Sequence, residues 1–167
     1  ADDVLVKARR AAALGLRVMI DFHFSDSWAD PGQQTVPAAW AGYDLPQMKT
    51  AVAAHVTSVL TKLKSFGITP EWVQVGNETR TGMLWPLGSI DKGGNYAELS
   101  NAGYDAVKAV FPGTKVIVHI DCGDNLAFYT RVFDYMRQYG GKYDVIGMSL
   151  YPEKGKGAVY ADKCVDN

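Results

Sequence analysis

A carboxylate and an amide follow a strand-like run in the segment WVQVGNETRTGMLWP, residues 72–86. Asn77 and Glu78 end the apolar run, and Trp85 lies in the loop beyond them. A carboxyl group near aromatic surface and a second carboxylate holds its proton more tightly than in water, as a general acid requires. An asparagine amide donates and accepts hydrogen bonds, so it suits a sugar hydroxyl. The segment indicates acid–base chemistry on a sugar, although a solvated glutamate at a strand end would show the same residues.

Histidine and aspartate alternate at the ends of two other strand-like runs. Asp21 shares a face with His23, and His119 shares a face with Asp121, because side chains two residues apart lie on the same side of a strand. A neutral imidazole donates a hydrogen bond to a carboxylate or a hydroxyl group. Either histidine alone would equally suit a core position beside a backbone carbonyl. Their repetition at two strand ends favours a binding site.

Aromatic and hydroxyl side chains complete the candidate binding residues. Trp28, Trp85 and Tyr151 lie in or beside loops that follow strand-like runs, and Ser149 ends the fourth run. Aromatic faces pack on the C–H faces of sugar rings, and their N–H or O–H groups bind sugar hydroxyls. Closing the loop onto the core is an equally good role for Trp85. The set indicates a sugar as the ligand.

Composition argues against several other classes of function. The formal net charge is −1 and no basic block occurs, so nucleic acid is not an expected partner. The longest apolar runs have the length of strands, which predicts no membrane span. The three histidines and two cysteines show no metal-binding spacing, so neither a metal nor another cofactor is expected. Pairing of Cys122 with Cys164 is left open.

Hydrophobic periodicity predicts alternating helices and strands, with a long loop after the first strand. The lysine- and glycine-rich tail after Pro152 is expected to be poorly ordered. The predicted strands are residues 16–24, 72–76, 115–121 and 143–150, and the predicted helices are residues 2–14, 47–66, 95–110 and 125–138.

Strict alternation of helices and strands implies a parallel sheet with right-handed crossovers. An open doubly wound sheet would place its ligand at one switch point, and so would load the ends of about two strands. Here all four strand ends carry polar residues, which favours a (β/α)8 TIM barrel, whose strand ends meet at one face. A complete barrel needs eight strands and about 250 residues. We therefore expect residues 1–167 to form a single partial domain, about half a barrel with four parallel strands and four helices.

Four separated motifs resemble one family of glycosidases. WVQVGNE followed by GMLWPLG is similar to the endo-β-1,4-galactanases of glycoside hydrolase family 53, which belong to a clan of retaining (β/α)8 enzymes. DFHFSDSWADPGQQTVPAAW resembles the third-strand segment of that family, VIVHIDCG the fifth strand and YDVIGMSLYP the sixth. The resemblance covers nearly the whole chain, with its motifs in the family's order.

The resemblance implies specific roles for the candidate residues. Glu78 matches the general acid/base of the family, and Asn77 matches its usual preceding partner. The other positions that match the family's substrate cleft are His23, Asp26, Trp28, Trp85, His119 and Tyr151. Departures from the family's pattern occur at Phe24, Thr79, Arg80 and Leu150. These departures concern the details of individual sugar subsites rather than the family.

The expected activity is retaining endo-hydrolysis of β-1,4-galactosidic bonds in galactan or type I arabinogalactan, by a secreted, periplasmic or cell-surface protein. Retention needs two carboxyl groups about 5–5.5 Å apart. The resemblance places the second of them, the nucleophile, on a seventh strand beyond Tyr151, and the context of Glu153 is not that of a strand. We therefore expect a segment of a longer enzyme that is inactive alone. The alternatives are a related mannanase or glucanase, or an inactive carbohydrate-binding half-barrel.

Overall fold

The structure is a computed structural model, and it describes residues 2–151 and 157–166. Helices and parallel strands alternate along the chain, with a short 3-10 helix at Ala38–Trp40 in the long loop. The strands are β1 (Met19–Phe22), β2 (Trp72–Val75), β3 (Lys115–Ile120) and β4 (Val145–Met148). The helices are α1 (Asp2–Ala13), α2 (Leu45–Ser65), α3 (Asn95–Val110), α4 (Leu126–Gln138) and α5 (Gly157–Asp166).

The four strands form one parallel sheet in the order β1-β2-β3-β4. Each strand pairs with the next strand of the chain, and a helix makes each crossover. A doubly wound sheet reverses its strand order at the switch point, whereas a barrel winds in one direction. The uninterrupted order is therefore that of a barrel segment. Within the described residues, β1 and β4 each pair on one side only.

Helix α2 begins with a complete capping box. The Asp44 carboxylate accepts the Gln47 backbone N–H at 2.9 Å, and the Gln47 side chain accepts the Asp44 N–H at 3.0 Å. These two bonds satisfy backbone donors that have no partner inside the helix. Gly67 follows the helix at φ 72°, a left-handed conformation typical of a helix end. The buried stripe of α2 consists of Met48, Val52, Val56, Val59, Leu60 and Leu63.

The core lies between the sheet and the helices, mainly α2 and α3. Val73 and Val75 of β2 are almost fully buried, as are Val116 and Val118 of β3. Helix α3 approaches β2 closely at Gly103, where an added Cβ would lie 2.5 Å from a methyl carbon of Val75. A larger residue at this position would push the helix away from the strand. No described helix combines the length and the apolar character that crossing a membrane requires.

The number of helices was predicted wrongly. Residues 157–166 were expected to belong to a poorly ordered tail, but they form α5, a fifth helix. The helix buries Cys164 so close to Gly123 that an added Cβ there would lie 2.5 Å from the cysteine sulfur. Lysine and glycine dominate the tail before the helix and obscured this local pattern. The earlier part of the tail, residues 152–156 with Glu153, lies outside the described residues.

Asp144 connects β4 to its neighbours. Its carboxylate accepts hydrogen bonds from the Lys108 ammonium at 2.6 Å, the Val116 backbone N–H at 2.8 Å and the Tyr104 hydroxyl at 3.2 Å. Burial alone would raise the pKa of Asp144, but these donors together lower it below its ordinary value of 3.8. One side chain therefore joins the start of β4 to both β3 and α3.

We predict that Asp144→Asn lowers the free energy of unfolding of the whole protein by about 2 kcal/mol, because a charged acceptor of several hydrogen bonds is lost. Because the folded pKa is lowered, the contribution of Asp144 is present above pH 3.8 and is lost as the pH falls through the folded value. Urea unfolding at neutral pH measures the difference. The matched control is Asp134→Asn, which breaks an exposed pair with Arg137 and should cost less than about 0.5 kcal/mol. Equal effects of the two variants would contradict the role of Asp144.

Candidate active site

Three strands end in backbone conformations that are unfavourable for side-chain-bearing residues. Phe24, Glu78 and Cys122 follow β1, β2 and β3 with φ values of 45°, 49° and 52°. Each left-handed residue other than glycine costs on the order of 1 kcal/mol or more, so the surrounding structure must hold it. Such residues concentrate at functional sites. The feature therefore marks the carboxyl edge of the sheet, where the sequence predicts chemistry.

Hydrogen bonds to His119 hold the backbone around Glu78. The Thr79 N–H donates to the His119 carbonyl at 2.8 Å, and the Thr79 hydroxyl contacts the same carbonyl at 3.1 Å. The Thr79 hydroxyl also lies 2.7 Å from the hydroxyl of the fully buried Tyr96. The Glu78 N–H donates to Nδ1 of His119 at 3.2 Å. Hydrogen bonding to β3 thus continues past the end of β2 and fixes the direction of Glu78.

A series of polar side chains, each within hydrogen-bond distance of the next, crosses all four strand ends and is here named the polar chain; its members are His23, Asp21, Gln74, Asn77, His119, Ser149 and Glu78. In its first half, Nε2 of His23 lies 3.0 Å from Oδ2 of Asp21, and Gln74 donates to Oδ1 of Asp21 at 2.7 Å. The Gln74 amide nitrogen also lies 3.4 Å from Oδ1 of Asn77.

The second half of the polar chain surrounds Glu78. Nδ1 of His119 lies 3.1 Å from Oδ1 of Asn77, and Nε2 of His119 lies 3.0 Å from the Ser149 hydroxyl. The Ser149 hydroxyl donates to Oε1 of Glu78. Ser149 is itself positioned by its N–H, which donates to the Ile120 carbonyl at 3.2 Å beyond the end of β4. Glu78 is therefore partly buried and held by groups from β3 and β4.

Asn77 also anchors the long loop after β1. Its amide nitrogen donates to the Ala29 carbonyl at 2.8 Å, which fixes the orientation of the amide. The side chain of Gln34, only 2% exposed, donates to the Asn77 carbonyl at 2.9 Å. Sequence reasoning did not nominate Gln34 or Gln74. Gln74 could have been identified as a site residue, because it is a polar residue within the apolar WVQV run. Gln34 lies among other polar residues of a loop, so its sequence context did not distinguish it.

An ion pair between Arg80 and Asp121 lies beside Glu78. The Arg80 guanidinium donates to both carboxylate oxygens of Asp121, at 2.7 and 3.1 Å. It also lies over the Phe128 ring, 4.1 Å from the ring centroid. Donating hydrogen bonds to the Asp121 carboxylate raises the pKa of Arg80, so the guanidinium stays charged. Arg80 was recognised in the sequence only as a departure from the family, and the structure places its charge next to the candidate acid/base.

The surroundings of His119 favour the neutral imidazole. Its partial burial lowers the pKa of the imidazole, while the negative charges of Glu78, Asp21 and Asp121 oppose that effect without reversing it. A neutral imidazole has one nitrogen that donates and one that accepts. His119 therefore acts in the polar chain as a directional link rather than as a cation.

The remaining predicted residues lie around the polar chain. The Trp28 ring is 66% exposed, with its centroid 4.8 Å from that of His23, and Tyr151 is 82% exposed. Asp26 accepts the Ala38 backbone N–H at 2.8 Å and so fixes the long loop. No group of three or more metal-ligating side chains occurs within residues 2–151 and 157–166.

Trp85 belongs to a neighbouring loop cavity rather than to the polar chain. Its indole N–H donates to the Thr81 carbonyl at 3.1 Å, and its backbone N–H donates to the Gln34 carbonyl at 2.7 Å. With Trp40 and Tyr43 it lines a cavity of about 620 Å³ between the two loops. The contacts of Trp85 match the loop-closing alternative that its sequence context left open.

Comparison with known proteins identifies relatives over most of the chain. The model of glycosyl hydrolase family 53 matches residues 1–161. An arabinogalactan endo-β-1,4-galactanase of Thermothelomyces thermophilus is 36% identical over 151 residues, which cover 87% of this chain and 45% of the relative. One of Humicola insolens is also 36% identical, with 87% and 45% coverage. The chain thus spans less than half the length of these curated relatives.

Solved structures of the same family share the fold. A family 53 catalytic domain of Ignisphaera aggregans superposes with a TM-score of 0.85 at 38% identity, covering 89% of this chain and 41% of that one. A structure of fungal β-1,4-galactanases gives a TM-score of 0.85 at 34% identity, covering 90% and 47%. A family 10 xylanase at 14% identity shows a likeness of fold alone, with a TM-score of 0.64. These matches confirm the prediction of about half a (β/α)8 barrel.

We predict that the whole protein loses stability as the pH falls below 6.5, the ordinary pKa of histidine. Because burial lowers the pKa of folded His119, the unfolded chain takes up a proton first and unfolding becomes more favourable. Urea unfolding between pH 7.5 and 5.5 measures this slope. His119→Gln should make the slope shallower without abolishing it, because burial also lowers the pKa of His55. An unchanged slope in His119→Gln would show that His119 does not contribute.

Proposed function

The chain belongs to glycosyl hydrolase family 53, and from this premise we propose that the whole protein is an arabinogalactan endo-β-1,4-galactanase. It hydrolyses internal β-1,4-galactosidic bonds of galactan or type I arabinogalactan with retention of configuration. The observation that carries the proposal is the position of Glu78. A partly buried carboxyl group at the end of β2, oriented by Ser149 and His119, suits a general acid/base.

Glu78 performs two proton transfers in this mechanism. It first protonates the glycosidic oxygen as the leaving chain departs, and it then removes a proton from the water that releases the covalent glycosyl-enzyme. Ser149 occupies Oε1, so Oε2 is the oxygen available to the substrate. The nucleophilic carboxyl group, about 5–5.5 Å away in a retaining enzyme, comes from a part of the whole protein outside this chain.

The other site residues hold the polymer. Asn77 uses one amide hydrogen for the Ala29 carbonyl, and its second hydrogen is oriented for the 2-hydroxyl of the sugar at the reacting centre. Trp28 and Tyr151 are exposed near the first and last strands, where their faces suit sugar rings. Asp21, His23 and Asp121, which already carry hydrogen bonds within the protein, offer their remaining capacity to sugar hydroxyls.

A polymeric plant substrate also sets where the protein acts. Galactan chains are too large to enter a cell intact, so the enzyme is secreted, periplasmic or attached to the cell surface. This chain alone supplies the acid/base and part of the cleft. We therefore expect this chain alone to bind galacto-oligosaccharides without cleaving them. For the isolated segment, the function would then be carbohydrate binding by an inactive half-barrel.

Glu78→Gln in the whole protein should lower kcat on unactivated galactan by about 10²–10⁴-fold, because the amide cannot supply the proton that the leaving oxygen needs. Reducing-sugar release measures the rate. The matched control is Glu98→Gln on α3, which removes an exposed carboxylate paired with Lys49 of α2 and should leave the rate unchanged. Wild-type rates for Glu78→Gln would refute the assignment of the acid/base.

The substrate class is tested with a panel of galactan, mannan, xylan and mixed-linkage glucan, again by reducing-sugar release from the whole protein. We expect galactan to be cleaved at least about tenfold faster than the others. That preference corresponds to about 1.4 kcal/mol of differential transition-state binding. A preference for mannan or glucan would overturn the galactanase assignment while leaving the glycosidase mechanism in place.

A further inference from the structure

Two contacts of His119 Nδ1 require opposite protonation states of that nitrogen. Nδ1 lies 3.2 Å from the backbone nitrogen of Glu78, which requires an acceptor, and 3.1 Å from Oδ1 of Asn77, which requires a donor. A neutral imidazole nitrogen is either a donor or an acceptor. The Asn77 amide cannot resolve the conflict by rotating, because its nitrogen is held by the Ala29 carbonyl at 2.8 Å. Only one of the two contacts at Nδ1 can therefore be a hydrogen bond at any one time.

The tautomer with hydrogen on Nε2 completes a ring. The Glu78 N–H donates to Nδ1, Nε2–H donates to the Ser149 oxygen at 3.0 Å, and the Ser149 hydroxyl donates to Oε1 of Glu78. Every donor in the ring meets an acceptor. The ring begins at the backbone of Glu78 and ends at one oxygen of its own side chain.

The tautomer with hydrogen on Nδ1 loses more than it gains. It makes one bond to Asn77, but it leaves the Glu78 N–H without this acceptor and turns the Ser149 hydroxyl toward Nε2. Oε1 of Glu78 would then lose the hydrogen bond that it accepts from Ser149. Two hydrogen bonds are therefore lost for one gained, and a partly buried donor left without an acceptor is destabilising in itself.

We propose that Ser149 and His119 are positioning residues that fix which oxygen of Glu78 carries the catalytic proton. The inference rests on the proposed function, in which Glu78 is the acid/base. The Ser149 hydroxyl donates to Oε1, so the proton resides on Oε2, the oxygen left for the substrate. When Oε2 transfers its proton to the glycosidic oxygen, the hydroxyl stabilises the carboxylate that forms. No net proton passes through Ser149 or His119.

Other titratable groups surround this ring and remain constant in the test. Asp21 and His23 lie at the end of β1, Arg80 follows β2, and Asp121 follows β3, paired with Arg80. All four are present in both the original protein and a variant at Ser149. A change in the pH profile of such a variant therefore reports the loss of the hydroxyl.

We predict that Ser149→Ala in the whole protein lowers kcat on galactan by about 10–100-fold with little change in KM, because the carboxylate loses a hydrogen-bond donor. The basic limb of the kcat/KM profile should move to higher pH by about one unit, since the ionised form of the acid is less stabilised.

The rate on an aryl galactoside with a good leaving group should fall less in Ser149→Ala, because departure of that group needs little protonation. Ser149→Thr, which retains the hydroxyl, should restore both properties. The control is Ser58→Ala on the exposed face of α2.

Nitrogen-15 NMR of the His119 side chain tests the ring without any activity. We expect hydrogen on Nε2 and an unprotonated Nδ1 at neutral pH, with the signal identified by its loss in His119→Gln. Hydrogen on Nδ1, or an unmoved basic limb in Ser149→Ala, would overturn the proposal. Full activity of Glu78→Gln would instead remove the proposed function. The two failures are therefore distinguishable.

Discussion

The contact between β3 and the residues that follow β2 is the constraint on which the site depends. The Thr79 N–H donates to the carbonyl of His119 and so fixes the backbone of both residues. Glu78 can then persist at φ 49°, a conformation that an unsupported chain would leave. Its carboxyl group reaches Ser149, the residue directly after β4, because of that conformation. The strain in the backbone and the direction of the carboxyl group are two aspects of one arrangement.

Burying so many polar groups is tolerable because they satisfy one another. In the part of the chain that the structure describes, no buried side-chain nitrogen or oxygen lacks a hydrogen-bond partner. A connected network of this kind restricts each member to one orientation, whereas a partly satisfied network would be less stable than an apolar core. The polar chain is therefore organised before a substrate arrives, and a preorganised site does not have to reorganise during the reaction.

The direction of winding explains how the four strand ends come to cooperate. Because the strands follow one another in order without reversal, their carboxyl ends curve round one mouth instead of diverging at a switch point. The family's solved structures share this arrangement over less than half of their length. In the proposed mechanism the two carboxyl groups of a retaining glycosidase consequently come from different parts of the barrel, and this chain holds the acid/base part.

Sequence alone determined the alternation of helices and strands, the barrel class and the placement of Glu78 and Asn77 at a strand end, because these follow from local periodicity and short motifs. Only the tertiary structure showed that Ser149, 71 residues away, donates to Glu78, and that Gln34 supports Asn77. It also revealed α5, where burial of Cys164 outweighs an unpromising composition. The physical reason is that sequence patterns report local interactions, whereas these contacts join residues that are distant in the sequence. A residue's spacing predicts the face on which it lies, but its partners depend on how strands distant in the sequence are brought into register.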